Sequence, residues 1–403
     1  METNICLFDV DGVLVQPGGY RAAVRATLEY FLGRMGLVHL TPGEEVPVLF
    51  ESMGVTSEWD MVPITLAVVM NSICVENEPD QPLQSLTSFL DWAKALNSDL
   101  PVDLAVEIRR LAPAFQGAEI PAEAILQNVS SGSDREFLPH LTIALLNEIL
   151  GNSRDINISQ VTKVFQNIVL GSADYKTVYG QPAEFERSSC LKEYDRVLIE
   201  PGVYSRLRQQ RLDGNLFYAA YTARPSLPPK EVNIDVRGFS PEAEQGLVLV
   251  DPQLMPLIGY GRLRYLADQV GVKADAILKP APVQALAALA AAITGEEWLS
   301  LQWAWQVFSS YGGDDDAFAT GVQRSELWRR LPSSFALHVF EDSSIGITAG
   351  RRAADILCET GLNVEFHAWG IAEDEGKRQA LLAVGAEIFP DVNAALRDGF
   401  AWL

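Results

Sequence analysis

The sequence predicts an α/β protein, a doubly wound parallel sheet interrupted after its first strand by a large α-helical insertion. Two observations predict this. In residues 1–15 and 200–403, short apolar runs ending in polar or glycine-containing turns alternate with amphipathic helical segments, the rhythm of a parallel sheet with crossover helices. Between residues 16 and 199 that rhythm is missing, and helical segments follow one another, broken by clusters of Pro, Asn, Gly and Ser.

The first strand is the apolar run over residues 5–8, bounded by Asp9-Val10-Asp11-Gly12. Ligands of open α/β sheets sit at the carboxyl ends of the strands, which puts Asp9 and Asp11 at a site. Carboxylates one residue apart on an extended chain face opposite ways unless the chain turns between them, and Gly12 supplies a turn. Such a turn has three readings: a solvated loop, a calcium loop, or a nucleophilic carboxylate with a second carboxylate as acid/base. An EF-hand loop needs its glycine at the sixth position and a Glu at the twelfth, which this spacing does not provide. The nucleophile reading requires a phosphate anchor and further metal ligands from elsewhere in the chain.

A helix is predicted over residues 20–37, where Ala23, Leu28, Phe31, Leu32 and Met35 recur at helical spacing between Gly18-Gly19 and Gly36. Within the insertion, Ser57-x-x-Asp60 reads as a capping box and Trp59 as a core residue. Gly18-Gly19 and Pro201-Gly202 mark the expected linkers, where an inserted cap could hinge and set specificity.

The sheet resumes after a helix through Leu207 and Leu212. Residues 216–221 read as a strand ending in Thr222-Ala223-Arg224, with Arg224 expected beside a helix N-terminus, a natural anion site. Residues 247–250 read as a strand ending in Asp251. A helix through Leu263, Leu266 and Val270 leads to the apolar run 276–278, read as a further strand with Lys279 at its end. Residues 335–340 form a strand ending in Glu341-Asp342, and the tail repeats the alternation at 364–366 and 386–389. The aromatic-rich segment between Lys279 and Glu341 is expected to form packed helices, with Asp314–316 after Gly312-Gly313 as a solvated loop.

Composition narrows the partners. With 31 Lys+Arg against 53 Asp+Glu, the formal charge of −22 disfavours nucleic acid and anionic membranes. The 4 cysteines lack the paired spacings of zinc or redox motifs and read as reduced core thiols. No signal-peptide pattern precedes Asp9, and the alanine-rich run 281–293 is too short to span a bilayer, so a cytoplasmic protein is expected. Residues 370–377 have the wrong spacing for a P-loop, Gly259-Tyr260-Gly261 lacks the third glycine of a dinucleotide fingerprint, and His338 reads as structural.

Asp9 and Asp11, Thr222, Lys279, and Glu341 with Asp342 therefore follow one another in the order phosphoryl transfer through a carboxylate requires: nucleophile, proton donor, phosphate anchors and cation ligands. Phe8-Asp9-Val10-Asp11-Gly12-Val13-Leu14, Thr222, Lys279-Pro280-Ala281-Pro282 and Val339-Phe340-Glu341-Asp342-Ser343-Ser344-Ile345-Gly346-Ile347 resemble the four motifs of the haloacid dehalogenase-like (HAD) hydrolase superfamily. The last two are most similar to the phosphoglycolate phosphatase and β-phosphoglucomutase branch, which carries a helical cap between its first and second motifs.

The resemblance implies a magnesium-dependent phosphatase acting on a small phosphorylated metabolite through an aspartyl-phosphate. Asp9 would be the nucleophile and Asp11 the acid/base. Thr222 and Lys279 would bind the substrate phosphate, and Asp9, Asp11 through its backbone carbonyl, Asp342 and Glu341 would hold Mg2+; Arg224, from its place two residues after Thr222 and not from the resemblance, reads either as a further contact to the substrate phosphate or as a surface ion pair. It also implies two alternatives, a phosphomutase of the β-phosphoglucomutase type and a non-catalytic binding protein on the same fold. Asp11 argues against dehalogenation, since a leaving halide needs no proton. Substrate identity and oligomeric state are not legible in the sequence.

Overall fold

The computed structural model of the chain describes residues 3–96, 101–133, 135–236, 238–253, 255–311 and 326–402. The chain divides into two compact units, an α/β unit of residues 1–17 and 195–403 and a helical unit of residues 18–194.

The α/β unit holds a six-stranded parallel sheet. In chain order its strands are β1 (Thr3–Phe8), β4 (Leu216–Tyr221), β5 (Leu257–Ile258), β6 (Ser334–Glu341), β7 (Asn363–Ile371) and β8 (Glu387–Phe389). They lie in the order β5-β4-β1-β6-β7-β8, with every pairing parallel. A parallel sheet must be covered on both faces, and the alternation along β1 does this. Ile5 and Leu7 pack with the helices Tyr260–Val270, Val283–Thr294, Glu297–Ser310 and Ser344–Glu359. Cys6 and Phe8 point the other way, toward Pro201–Leu212, Glu242–Val250 and Val392–Gly399.

The first strand sits centrally, paired to both β4 and β6, so the helices diverge around its end. In register, Phe8 lies beside Ala220 and Phe340. The next residue of each strand, Asp9, Tyr221 and Glu341, therefore stands abreast at the carboxyl edge.

Two short strands, β2 (Val15–Gln16) and β3 (Arg196–Val197), pair antiparallel. This ribbon puts the change of unit at 17/18 and 194/195, not at 15/16 and 199/200. Gly18 and Gly19 have a packing reason within the helical unit: a Cβ on Gly18 would lie 2.6 Å from the Tyr194 carbonyl oxygen, and one on Gly19 2.5 Å from the Leu191 Cα.

Two strand assignments are corrected. Residues 247–250 belong to the helix Glu242–Val250, whose buried Ala243, Leu247 and Val250 follow helical spacing. The strand beside β4 is instead Leu257–Ile258, too short for any periodicity to show. The run before Lys279 is not a strand either. A 3-10 turn, Ala274–Ala276, precedes a loop that carries Lys279 and a cis Lys279–Pro280 peptide. In the aromatic-rich segment, Trp303 is buried and Trp298, Trp305, Phe308 and Trp328 pack against the core, as expected for packed helices. Asp314–316 lie outside the described residues. The cysteines are free, with Cys6, Cys74 and Cys190 buried; Cys358 is exposed, contrary to the core-thiol expectation.

The helical unit contains no strand among its described residues. Glu58–Glu76 is long and apolar enough to cross a membrane by length and composition, a stretch the sequence reading passed over, but 78 % of its apolar window is buried. The capping box at its start does not form, since Ser57 makes no side-chain cap bond. Asp60 is instead fully buried, accepting from the Ala122 amide at 3.0 Å and pairing with Arg154 at 2.5 Å. Trp59 meets Phe165 edge-on at 6.1 Å.

Candidate active site

At the end of β1 the ladder to β6 continues through Asp9, whose amide donates to the Phe340 carbonyl at 3.0 Å. The chain then turns back on itself, with Leu14 and Val15 amides both donating to the Val10 carbonyl at 3.0 and 2.8 Å. Gly12 makes the turn possible twice over. Its φ of +74° favours glycine, and a Cβ there would stand 2.5 Å from Asp342 Oδ2.

Lys279 is the centre of charge. Its Nζ lies 2.9 Å from Asp9 Oδ1, 2.5 Å from Glu341 Oε1 and 3.9 Å from the centre of the Tyr221 ring. Burial pulls its pKa down, and the flanking Asp9 and Glu341 more than reverse this, so the ammonium is held charged. Burial pushes the Asp9 carboxyl well above the usual range; Lys279 opposes this, and Glu341 adds to it. Asp342 is likewise raised by burial, opposed by Lys377.

Glu341 is fully buried, and its Oε2 accepts from the Ser343 amide at 3.2 Å and hydroxyl at 2.7 Å. Ser343 also caps the helix Ser344–Glu359, accepting from the Gly346 amide. That helix can descend on Glu341 only because residue 346 is glycine, since a Cβ there would be 1.7 Å from Oε1. Asp9, Glu341 and Asp342 each offer a carboxylate oxygen, all within 4.8 Å of one another. Asp342 also pairs with Lys377.

Thr222 follows β4, buried, with its Oγ1 accepting from the Arg224 amide at 3.1 Å and its carbonyl from Gln284 Nε2 at 2.9 Å. The expected helix start beside Arg224 is not there; the next helix begins at Glu242. Arg224 is buried, with its guanidinium on Asp11 and Asp195. The loop that carries it is pinned by a second buried network. Arg262 reaches the Leu227 carbonyl at 3.0 Å and Glu297 at 2.9 Å, and Glu244 accepts from the Leu227 amide at 3.1 Å.

The structure thus gathers Asp9, Lys279, Glu341 and Asp342 into one cluster and joins Asp11 to Arg224. Sequence reasoning missed Tyr221, Asp195 and Lys377. Tyr221 could have been found as the residue level with Asp9 in adjacent strands. Lys377 lies in a helix after β7, within the stretch dismissed as a failed P-loop, and Asp195 lies in the returning linker, where no motif marks it.

No family model and no curated protein matches this chain. Among solved structures, it is similar to the X-ray structure of Northeast Structural Genomics Consortium target ZR25, at 13 % identity and a TM-score of 0.59, with 99 % of each chain covered. A second likeness, TM-score 0.42 and 14 % identity over 94 % of this chain and 99 % of the other, is to phosphatase Tt82 from Thermococcus thioreducens. At these identities the first likeness shows a shared fold, an α/β sheet with many flanking helices.

Proposed function

We propose that the chain is a HAD-like, magnesium-dependent phosphatase that hydrolyses a small phosphorylated metabolite through an aspartyl-phosphate on Asp9. The observation that carries this reading is the cluster of three carboxylates around a buried ammonium, Asp9, Glu341 and Asp342 with Lys279, at the carboxyl edge of the central strands.

The donor set fits magnesium. Three carboxylates whose oxygens lie within 4.8 Å of one another form an all-oxygen site of the kind this hard ion takes. Asp9 and Asp342 would be its side-chain ligands, with the Asp11 carbonyl; Glu341, already engaged by Lys279 and Ser343, would stand beside them. Bound there, the ion supplies positive charge that offsets the phosphate's own, without which a carboxylate cannot approach it.

The remaining steps belong to the chain's own residues. The Asp9 carboxylate attacks phosphorus, forming an acyl-phosphate as the bond to the leaving oxygen breaks, and Asp11 delivers a proton to that oxygen. Asp11 then takes a proton from water as the water attacks the same phosphorus, releasing inorganic phosphate and restoring Asp9. Lys279 and Thr222 would hold the phosphoryl oxygens. Arg224 is left out of that set because each nitrogen of its guanidinium is already engaged with Asp11 or Asp195.

The test is a phosphate-release screen over phosphorylated metabolites with the purified chain and magnesium. Metal-dependent release that disappears in Asp9→Asn supports the reading. No release across a broad panel, or release indifferent to chelation, contradicts it.

A further inference from the structure

Arg224 is built into the fold with unusual completeness. Its Nε lies 2.8 Å from each oxygen of Asp11, its Nη2 2.5 Å from Asp11 Oδ1, and its Nη1 3.0 Å from Asp195 Oδ2. Its side chain is 2 % exposed, that of Asp195 0 %, and that of Asp11 32 %. A desolvated guanidinium is costly unless paired, and this one is paired on both sides.

The backbone is fixed as well. The Arg224 amide donates to Thr222 Oγ1, and its carbonyl accepts from the Tyr260 amide at 3.1 Å. The helix Glu242–Val250 passes directly over the guanidinium, and it does so at Gly246, where a Cβ would come within 2.7 Å of Nη1. A glycine inside a helix is unfavourable relative to alanine. Here it opens the seat for the arginine.

We propose that Arg224 is a positioning residue, anchored by Asp195, that holds the Asp11 carboxylate in the orientation from which it exchanges its proton with the leaving oxygen, and that it does not contact the phosphoryl group. This rests on the reading of Asp11 as acid/base. The fork grips both oxygens of Asp11, whose side chain is still 32 % exposed. A phosphate approaching the guanidinium would compete with two carboxylates already bound to it. Asp195 sets the fork's rotation because it holds the one terminal nitrogen that Asp11 does not.

The experiment compares 4-nitrophenyl phosphate, whose leaving group departs without a proton, with phenyl phosphate, which needs one, in the full chain with magnesium. Asp195→Asn is near-isosteric, Arg224→Lys keeps the charge but loses the fork, and Gly246→Ala crowds Nη1 without altering any charge. In all three, kcat/KM on phenyl phosphate, which reports the phosphorylation step and not the later hydrolysis common to both substrates, should fall by roughly 10²-fold, the lower end of what a general acid contributes. The fall on 4-nitrophenyl phosphate should be much smaller, and inhibition by inorganic phosphate should be unchanged. Arg224→Lys should retain more of the phenyl phosphate rate than Arg224→Met.

Equal losses on both substrates, with weakened phosphate inhibition, would overturn the proposal and make Arg224 a phosphate ligand. Asp11→Asn separates the two claims. If it fails to steepen the leaving-group dependence, the acid/base reading itself falls. If it steepens the dependence while the Arg224 and Asp195 variants do not, the positioning proposal alone falls.

Discussion

In the α/β unit, buried charges converge on one edge of the sheet: Asp9, Lys279 and Glu341 within hydrogen-bonding distance, and Arg224 with Asp195 behind Asp11. In the helical unit the fully buried carboxylate Asp60 does something simpler. It ties the start of one helix, through the Ala122 amide, to a partly exposed Arg154. The first arrangement stacks carboxylates against one another until burial and mutual repulsion raise Asp9 and Asp342. Crowding of like charges is unfavourable for folding, and such crowding marks sites that bind a cation or move protons. A lone buried carboxylate with an amide and a guanidinium as partners is a staple between helices.

The largest effect that would sharpen this contrast is on turnover. Asp9→Asn should lower kcat by on the order of 10⁴–10⁶, as removal of a covalent nucleophile does. The melting temperature should hold or rise, because the variant removes a crowded buried charge. A large loss of stability with part of the activity retained would mean that Asp9 is structural.

Next is Gly346→Ala, whose Cβ would fall 1.7 Å from Glu341 Oε1. Overpacking at so close a contact should destabilise by ~3 kcal/mol or more, and calorimetry should show weaker magnesium binding as Glu341 is displaced. Unchanged metal affinity would detach Glu341 from the cation site.

In the helical unit, Asp60→Ala strands Arg154 and leaves the Ala122 amide without its acceptor. Since Arg154 is partly exposed, the expected loss is roughly 1–3 kcal/mol, below that of a fully buried pair. Magnesium affinity at the α/β unit should be unaffected. A change in metal binding here would break the distinction between the units.

The smallest effect is a pH dependence. His338 Nδ1 accepts from Trp369 Nε1 at 3.2 Å, and its Nε2 lies 3.0 Å from Asn4 Oδ1, a pattern suited to the neutral ring. Burial, with His367 stacked at 4.7 Å, pulls its pKa down to about 3. The unfolded chain takes up a proton below about pH 6.5, and the folded chain does not until about pH 3. Stability present above pH 6.5 is therefore lost as pH falls through that window, on the order of 1–2 kcal/mol by pH 5. Urea unfolding of His338→Gln should show a flatter slope between pH 7 and 5, and an unchanged slope would place the acid sensitivity elsewhere.

Much of the α/β unit was legible because a two-sided parallel strand writes itself as an unbroken apolar run, as in residues 216–221 and 335–340, which lie in β4 and β6. The order of motif residues was legible for the same reason, since each lies just past such a run or on a Gly/Pro turn. Leu257–Ile258 was not, because two residues carry no period, and 247–250 misled because a buried helix and a buried strand are equally apolar over four residues. The partner of Arg224 was beyond reach. A sequence shows that a guanidinium follows Thr222 by two residues, but only the fold shows that Gly246 clears its seat and that Asp195 returns beside it. In the helical unit, Asp60 looked like a cap because the local spacing fits one, and a partner 94 residues away won instead.

The measurement that bears most directly on the account is chemical trapping of the intermediate. A phosphorylated substrate identified by the screen is mixed with the wild-type chain and magnesium, quenched within a single turnover and treated with borohydride, which reduces an acyl-phosphate to an alcohol. Peptide mapping should then find homoserine at position 9, and none in Asp9→Asn. Homoserine at another carboxylate, or an unmodified Asp9 throughout a turnover that releases phosphate, would contradict a covalent mechanism centred on the end of the first strand.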